Sequence, residues 1–173
     1  MDVFSHALWT NLLYYPSYKS RLRDRLWAVF FGVMPDLISF TPLTVYLFFT
    51  GNRFFPASAV VMHHPLFIYA TESYNFTHSL VVFALVFFIV TVIRRGKVWW
   101  PLLGWAFHIS LDIFTHPDFF STPFLYPLSN FKNHYGLSWA EPHFLAVDWI
   151  VLICIYAYLF YDWRKKKAVA HGV

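Results

Sequence analysis

Apolar residues along the chain fall into runs that short clusters of basic residues separate. The runs long enough to cross a bilayer, at about 17 residues or more, cover residues 26–50, 76–93, 98–116 and 143–163. Two runs are shorter: residues 3–15 predict a short N-terminal helix, and residues 57–70 predict an interfacial or re-entrant segment. The pattern predicts an all-α, multi-span transmembrane helical bundle with about four full spans.

Proline and glycine mark where these helices bend or end. Pro35 and Pro42 lie within the run 26–50, where each removes a helix hydrogen bond, so we expect this helix to kink or break. Residues 51–53 (GNR) predict a turn, and Pro117 ends the run that precedes it. A polar, proline-rich and aromatic stretch, residues 117–142, leads to the last span.

The composition agrees with a single integral-membrane domain over residues 1–173. Hydrophobic residues make up 58% of the chain and charged residues 13%, about half the charged fraction of a soluble domain. The net charge of +4 is concentrated in clusters at residues 19–25, 94–97 and 164–167. Such clusters beside apolar runs are typical of cytoplasmic loops, whereas a nucleic-acid partner would require a basic face.

The basic clusters also predict the topology of the chain. If each is cytoplasmic, the loops 51–75 and 117–142 lie outside and the basic tail 164–173 lies in the cytoplasm. No cleavable signal peptide is visible, so internal spans are expected to direct insertion. The single cysteine, Cys154, is expected to be a buried thiol within the last span.

Seven ionisable side chains lie within the apolar segments, where a central aspartate costs about 2.5–3.5 kcal/mol. They are His6, Asp36, His78, His108, Asp112, His116 and Asp148. Counted along helices from the nearest basic anchor, each lies about 16 to 28 Å away, between the bilayer centre and its outer face. Five segments thus place a histidine or aspartate at one depth, which predicts a shared site.

The segment HISLDIFTHP carries the densest part of this pattern. His108, Asp112 and His116 lie at spacing i, i+4, i+8, on one stripe of a helix. Imidazole nitrogens and a carboxylate in this arrangement can bind one metal ion or bridge two. With no thiolate available, we expect zinc first, then manganese or iron. The alternative is a helix interface held by His–Asp hydrogen bonds.

The other polar residues have structural alternatives of their own. His6 is compatible with a core histidine, Asp36 with a cap after Pro35, and His78 with a helix start capped by Thr77 or Asn75. Asp148 is either a residue behind the ligands or a partner of Trp139 or a tyrosine. The pair His63 and His64 is expected to be interfacial, not ligating.

The stretch 117–142 is more aromatic than a solvated linker. Following directly from His116, it is placed to cover the site, and Ser129, Lys132 and Trp139 are its candidate substrate-binding residues. Lys132 offers a positive charge for a phosphate. The alternative is an aromatic belt at the membrane interface.

Five segments occur in a distinctive order along the chain: SHALW, GVMPDLISF, YNFTHSL, HISLDIFTHP and FLYPLS. In this order they resemble the YdjM-like family of inner-membrane proteins, which are grouped as metal-dependent hydrolases, over nearly the whole chain. The resemblance implies site residues at His6, 35–36, 77–79, His108, Asp112, 115–116 and 127–129. Many members have His-Arg-Gly before the Thr-His-Ser motif. This chain has Ser-Tyr-Asn there, which leaves the number of metal ions open.

The order of histidines and aspartates is also similar, more distantly, to that of zinc-dependent phospholipase C enzymes. That similarity implies phosphoester hydrolysis. Ligation through an N-terminal tryptophan does not carry over, because the chain starts with Met1.

We therefore expect a metal-dependent hydrolase of the cell inner membrane whose site faces the outer side. Two or more divalent ions would be held by His6, Asp36, His78, His108, Asp112 and His116. Asp36 or Asp112 would be catalytic, by bridging metals or by taking a proton. The expected partners are membrane lipids and a phosphoester or lipid-linked substrate near the outer headgroups.

A metal-ion or proton-coupled transporter that uses the same residues is the alternative function. Residues 98–107 offer no polar path towards the cytoplasmic face, which favours an enzyme. A third possibility, a structural membrane scaffold, does not explain why these histidines and aspartates lie within apolar segments.

Overall fold

The computed structural model describes residues 1–15, 21–52, 59–117 and 121–170, and within these ranges the chain is all-helical, as predicted. Seven α-helices follow one another: α1 (Val3–Tyr14), α2 (Leu22–Thr50), α3 (Ala59–Met62), α4 (Pro65–Thr77), α5 (Leu80–Ile93), α6 (Leu103–Thr115) and α7 (Pro142–Ala170). A 3-10 turn, Trp100–Leu102, leads into α6. Lys19, Arg53 and His171 lie outside the described residues.

The central element is α2, which packs against α1, α4 and α6. Its helical backbone continues through Pro35 and Pro42, so the helix does not break at either proline, and a kink there remains a prediction. Proline leaves the carbonyl four residues earlier without its helix partner. For Pro42 that carbonyl belongs to Ile38, and it accepts a hydrogen bond from the hydroxyl of Tyr69 on α4 at 3.3 Å. A neighbouring helix therefore supplies the lost bond.

In the described part of the chain, two helices are long and apolar enough to cross a membrane, Leu22–Thr50 and Pro142–Val169. The helices α4 and α5 form a bent pair with an angle of 62° and count as a third span if the pair is one unit. The expected four full spans are not confirmed. The apolar runs 76–93 and 98–116 are interrupted by a helix end at His78 and by the 3-10 turn, which leaves helices of 14 and 13 residues.

The run predicted as an interfacial or re-entrant segment, 57–70, contributes α3 and the first part of α4. α4 extends beyond it to Thr77, so the apolar run and the Asn-Phe-Thr motif share one helix. Phe67 and Ala70 of α4 pack against Leu43 and Leu47 of α2. At the other end of α4, the hydroxyl of Thr77 lies 2.8 Å from that of Ser39, which places this end next to the middle of α2.

The last helix, α7, has a largely exposed surface, as expected for a helix that faces lipid. Its buried residues in the described part are Asp148 and Leu152, and its main contact is with α1. Cys154 is exposed, so the prediction of a buried thiol is wrong. Only one face of α7 meets the rest of the protein, and Cys154 is on another.

At Gly104 the backbone of α6 approaches that of α2 very closely. A Cβ atom at this position would overlap the carbonyl oxygen of Ala28 and lie 3.3 Å from the nitrogen of Gly32. Small residues allow such close helix packing in membranes. Gly104 therefore sets the distance between α2 and α6 one turn before His108.

We predict that Gly104→Ala destabilises the protein by about 1–3 kcal/mol, the cost of an overpacked contact. The added methyl group meets backbone on α2, which cannot move aside as a side chain can. Thermal unfolding of the purified protein in detergent measures the change. Ser110→Ala, at an exposed position of the same helix, is the matched control, and equal melting temperatures for both variants would refute the prediction.

Candidate metal centre

Four ionisable side chains from three parts of the fold meet at the centre of the bundle. They are Asp36 of α2, His78 at the end of α4, and His108 and Asp112 of α6. One nitrogen or oxygen atom from each lies within 4.8 Å of those of the others. All four residues are buried, three of them completely. They form the largest part of the site that the sequence predicts.

His78 reaches this position because the chain breaks between α4 and α5. Thr77 ends α4, His78 follows as the C-cap residue, and Ser79 starts α5 by accepting hydrogen bonds from the amides of Val81 and Val82. The cap of α5 is therefore Ser79, not Thr77 or Asn75. The bend places the imidazole at the meeting point of two helices, directed into the bundle.

The histidine nitrogens that point away from the centre are held by neighbouring groups. His108 Nδ1 donates to the carbonyl oxygen of Gly32 at 2.8 Å, so its proton is on Nδ1 and its Nε2 offers a lone pair. His78 Nδ1 lies 2.9 Å from the hydroxyl of Thr77, which in turn lies 2.8 Å from that of Ser39. Such partners behind a histidine are typical of metal ligands, whose ring orientation they fix.

The distances between the inward atoms match a small divalent cation. The two Nε2 atoms of His78 and His108 are 3.0 Å apart, and Asp112 Oδ2 lies 3.4 and 3.1 Å from them. Asp36 Oδ1 lies 3.4 and 3.7 Å from the same two atoms. A tetrahedral ion with ligands at about 2.0 Å separates its ligands by about 3.3 Å.

One buried carboxylate oxygen of this cluster needs a positively charged partner. Asp112 Oδ2 makes no hydrogen bond to any described residue, although a buried charged oxygen without a partner costs several kcal/mol. It faces His108 Nε2, whose ring carries its proton on the other nitrogen. The residues present therefore fit a divalent ion at this point, with two nitrogen and two oxygen donors.

The other oxygen of Asp112 faces a different set of groups. Oδ1 lies 2.9 Å from His6 Nε2, 3.1 Å from His116 Nδ1 and 2.6 Å from the α-ammonium group of Met1. The ring of His6 also stacks on that of His108, with centroids 3.8 Å apart. Asp112 thus joins all six predicted metal-binding residues into one polar cluster.

Sequence reasoning missed the groups that complete this cluster. Ser39 lies one helical turn after Asp36, and its position on the same face of α2 was a usable signal. The carbonyl of Gly32 and the ammonium group of Met1 could not be recognised from the sequence. Every residue has a carbonyl, and the position of both groups depends on how α1 and α6 pack against α2.

Asp148 and His64 have structural partners outside the centre. Asp148 accepts hydrogen bonds from Ser5 at 2.6 Å and from the indole of Trp9 at 2.8 Å, so it holds α1 and is not a partner of Trp139. His64 Nδ1 accepts from the amide of Leu66 and caps α4. His63 is not among the residues that meet at the centre, and its interfacial position remains a prediction.

The described part of the loop, residues 121–141, lies over the end of α6. The amides of Leu137 and Trp139 donate to the carbonyls of Phe114 and Thr115 at 3.1 and 3.0 Å. These bonds satisfy carbonyls that a helix end leaves free. A Cβ atom at Gly136 would overlap the carbonyl oxygen of Phe114, so only glycine allows the loop to lie this close.

Of the three predicted substrate-binding residues, one lies beside the site. The ring of Trp139 is 6.1 Å from that of His116. Ser129 accepts from the amide of Phe131 within its own loop. No contact of the described residues connects Lys132 with the cluster. The roles of all three remain predictions.

Comparison with known proteins gives one family. The model of the YdjM inner membrane protein family matches residues 1–173, and the chain belongs to this family. No curated protein and no solved structure matches it. Together with two or three candidate spans among the described residues, this membership indicates a membrane protein.

We predict that Gly136→Ala lifts the loop from the end of α6, because the methyl group takes the space of the Phe114 carbonyl. Amide hydrogen exchange at Leu137 and Trp139 should then rise about fivefold, as expected when a hydrogen bond worth about 1 kcal/mol is lost. Asn130→Ala, at an exposed position of the same loop, is the control. Unchanged protection in Gly136→Ala would contradict the proposed contact.

Proposed function

We propose that this member of the YdjM inner membrane protein family is a metal-dependent hydrolase that acts on a phosphoester, most readily a lipid-linked one. The observation that carries the proposal is the convergence of Asp36, His78, His108 and Asp112 at ligand spacing, with Asp112 Oδ2 otherwise unpartnered. A buried nitrogen and oxygen donor set of this kind in an apolar bundle is otherwise costly to maintain.

Zinc is the metal that we propose, with manganese or iron as alternatives. Two imidazoles and two carboxylates form a mixed donor set that accepts any of the three. The short separations from the two imidazole nitrogens to each other and to the carboxylate oxygens, 3.0 to 3.7 Å, favour a four-coordinate ion over the larger shell of calcium. When bound, such an ion lowers the pKa of a water ligand and polarises a phosphoryl oxygen.

The protein's own residues would hold the metal ion, orient its ligands and keep bulk water out of the centre. The carbonyl of Gly32 and the hydroxyl of Thr77 keep the two imidazoles in place. The surrounding side chains keep bulk water away, because His78, His108 and Asp112 are completely buried. Asp36, which is slightly more exposed, is the carboxylate that we propose to accept a proton during hydrolysis.

The position of His116 supports access of a substrate to the centre from the end of α6. Its side chain is 13% exposed, whereas those of His6 and His108 are fully buried. If the basic clusters are cytoplasmic, this end of α6 lies in the outer half of the membrane. A headgroup phosphoester of the outer leaflet would then meet the site at its own depth.

A transporter would require polar groups on the cytoplasmic side of the cluster as well. The turn of α6 that precedes His108, residues 103–107 with the sequence LGWAF, has one polar atom, the indole nitrogen of Trp105. That nitrogen donates to the carbonyl of Thr77 at 2.6 Å and is therefore occupied. This turn of α6 therefore offers no free polar side chain on that side of the cluster, which favours a pocket that opens on one side.

We predict that Asp36→Asn and His78→Ala each weaken metal binding at least about 100-fold, beyond the effect of residues that only support ligands. Hydrolysis by the metal-loaded protein should fall by about 100-fold or more. Metal content by mass spectrometry and release of phosphate or headgroup from a lipid phosphomonoester and a lipid phosphodiester of equal chain length give the two measurements.

His143→Ala and Asp162→Asn, which change an exposed and a partly exposed residue of α7, are the matched controls and should keep wild-type metal content and activity. A wild-type protein that stays metal-free in metal-replete buffer would refute the proposal. If the protein takes up metal into vesicles and hydrolyses neither lipid, the proposed hydrolase function is wrong and the transporter function is supported.

A further inference from the structure

We propose that the centre has two metal positions that share Asp112, and that the second position is formed by Asp112 Oδ1, His6 Nε2 and His116 Nδ1. The inference rests on the proposed function, in which the first position is that of Asp36, His78, His108 and Asp112. It adds which groups bind the second ion and how the two positions differ.

The two oxygens of Asp112 divide the cluster. Oδ2 lies 3.1 Å from His108 Nε2 and 3.4 Å from His78 Nε2, while Oδ1 lies 2.9 Å from His6 Nε2 and 3.1 Å from His116 Nδ1. A carboxylate with separate nitrogen donors at each oxygen can bridge two ions, which in hydrolytic sites are about 3.5–4 Å apart.

A positive charge already lies at the second position. The ammonium nitrogen of Met1 is 2.6 Å from Asp112 Oδ1, 3.2 Å from the hydroxyl of Thr115 and 3.5 Å from His116 Nδ1. Groups that hold an ammonium ion through a carboxylate and an imidazole nitrogen also suit a metal cation. A metal ion binds there when the amino terminus moves aside.

The two positions differ in their access to water. The first is enclosed, with three side chains completely buried and that of Asp36 9% exposed. The second includes His116, which is 13% exposed and lies beside the loop residue Trp139. Closed four-ligand sites are typical of tightly held ions, whereas sites with an open side accept substrate. The second ion is therefore the exchangeable one, and substrate approaches from its side.

The charge of the centre supports an anionic substrate. The two carboxylates, Asp36 and Asp112, balance one divalent ion. A second divalent ion leaves two positive charges in an apolar bundle, where unbalanced charge is strongly unfavourable. A phosphoester and a hydroxide supply the missing negative charge, which neutral ester or glycoside substrates do not.

Zinc titration against a chromophoric chelator tests the inference without measuring activity. The full chain carries a non-histidine tag at its C-terminal end, because the Met1 amine lies in the proposed position. We expect wild type to bind about two zinc ions in a tight and a weaker class, as closed and open sites do. His116→Ala should retain the tight class and lose the weaker one, while His78→Ala should lose the tight class.

Two further variants keep the result interpretable. His116→Gln preserves polarity if His116→Ala does not fold, and it should lose the weaker class in the same way. His143→Ala, at an exposed histidine, should keep both classes. One zinc ion in wild type and in both His116 variants would overturn the inference and leave the first position intact. Absence of zinc from the wild type would overturn the proposed function itself.

Discussion

The structure depends on the burial of two carboxylates in an apolar helical bundle. Asp36 and Asp112 lie on facing helices, and their ion-pair partners among the described residues are histidines and the ammonium group of Met1, with no lysine or arginine. A histidine that binds a metal ion does so through an unprotonated nitrogen and then brings no positive charge of its own. The protein must therefore supply positive charge from elsewhere, and a divalent cation does so with the fewest groups.

This constraint explains features that are unfavourable when taken singly. The break between α4 and α5 interrupts an apolar run at His78, and α6 is too short for a span of its own. Gly104 gives up side-chain packing so that α6 can lie against α2. The break brings His78 to Asp112, and the close packing at Gly104 brings α6, with Asp112, to the helix that carries Asp36. The helices are therefore less regular than the apolar runs predict because the centre requires these donors to meet.

The parts of the centre that follow from helical periodicity were predictable from the sequence. His108 and Asp112 lie one turn apart on α6, and the depth estimate placed Asp36 and His78 at a similar level. Long-range packing decides the rest. The carbonyl of Gly32 becomes a partner of His108 only because two helices meet at Gly104, and no pattern of residue types records that contact. Helix lengths were overestimated for the same reason, since an apolar run does not show where a neighbouring segment interrupts it.

The two ends of the chain are linked through this centre in a way that gives α7 a role. α7 contacts mainly α1, and Asp148 accepts hydrogen bonds from Ser5 and Trp9. Those two residues flank His6 on α1, so both bonds fix the turn that faces Asp112. Polar contacts between membrane helices are worth about 0.6 to 2 kcal/mol each, which is enough to orient a helix of 12 residues. The long, lipid-exposed last helix therefore serves to hold the short first helix, and with it His6, against the carboxylate on which the centre is built.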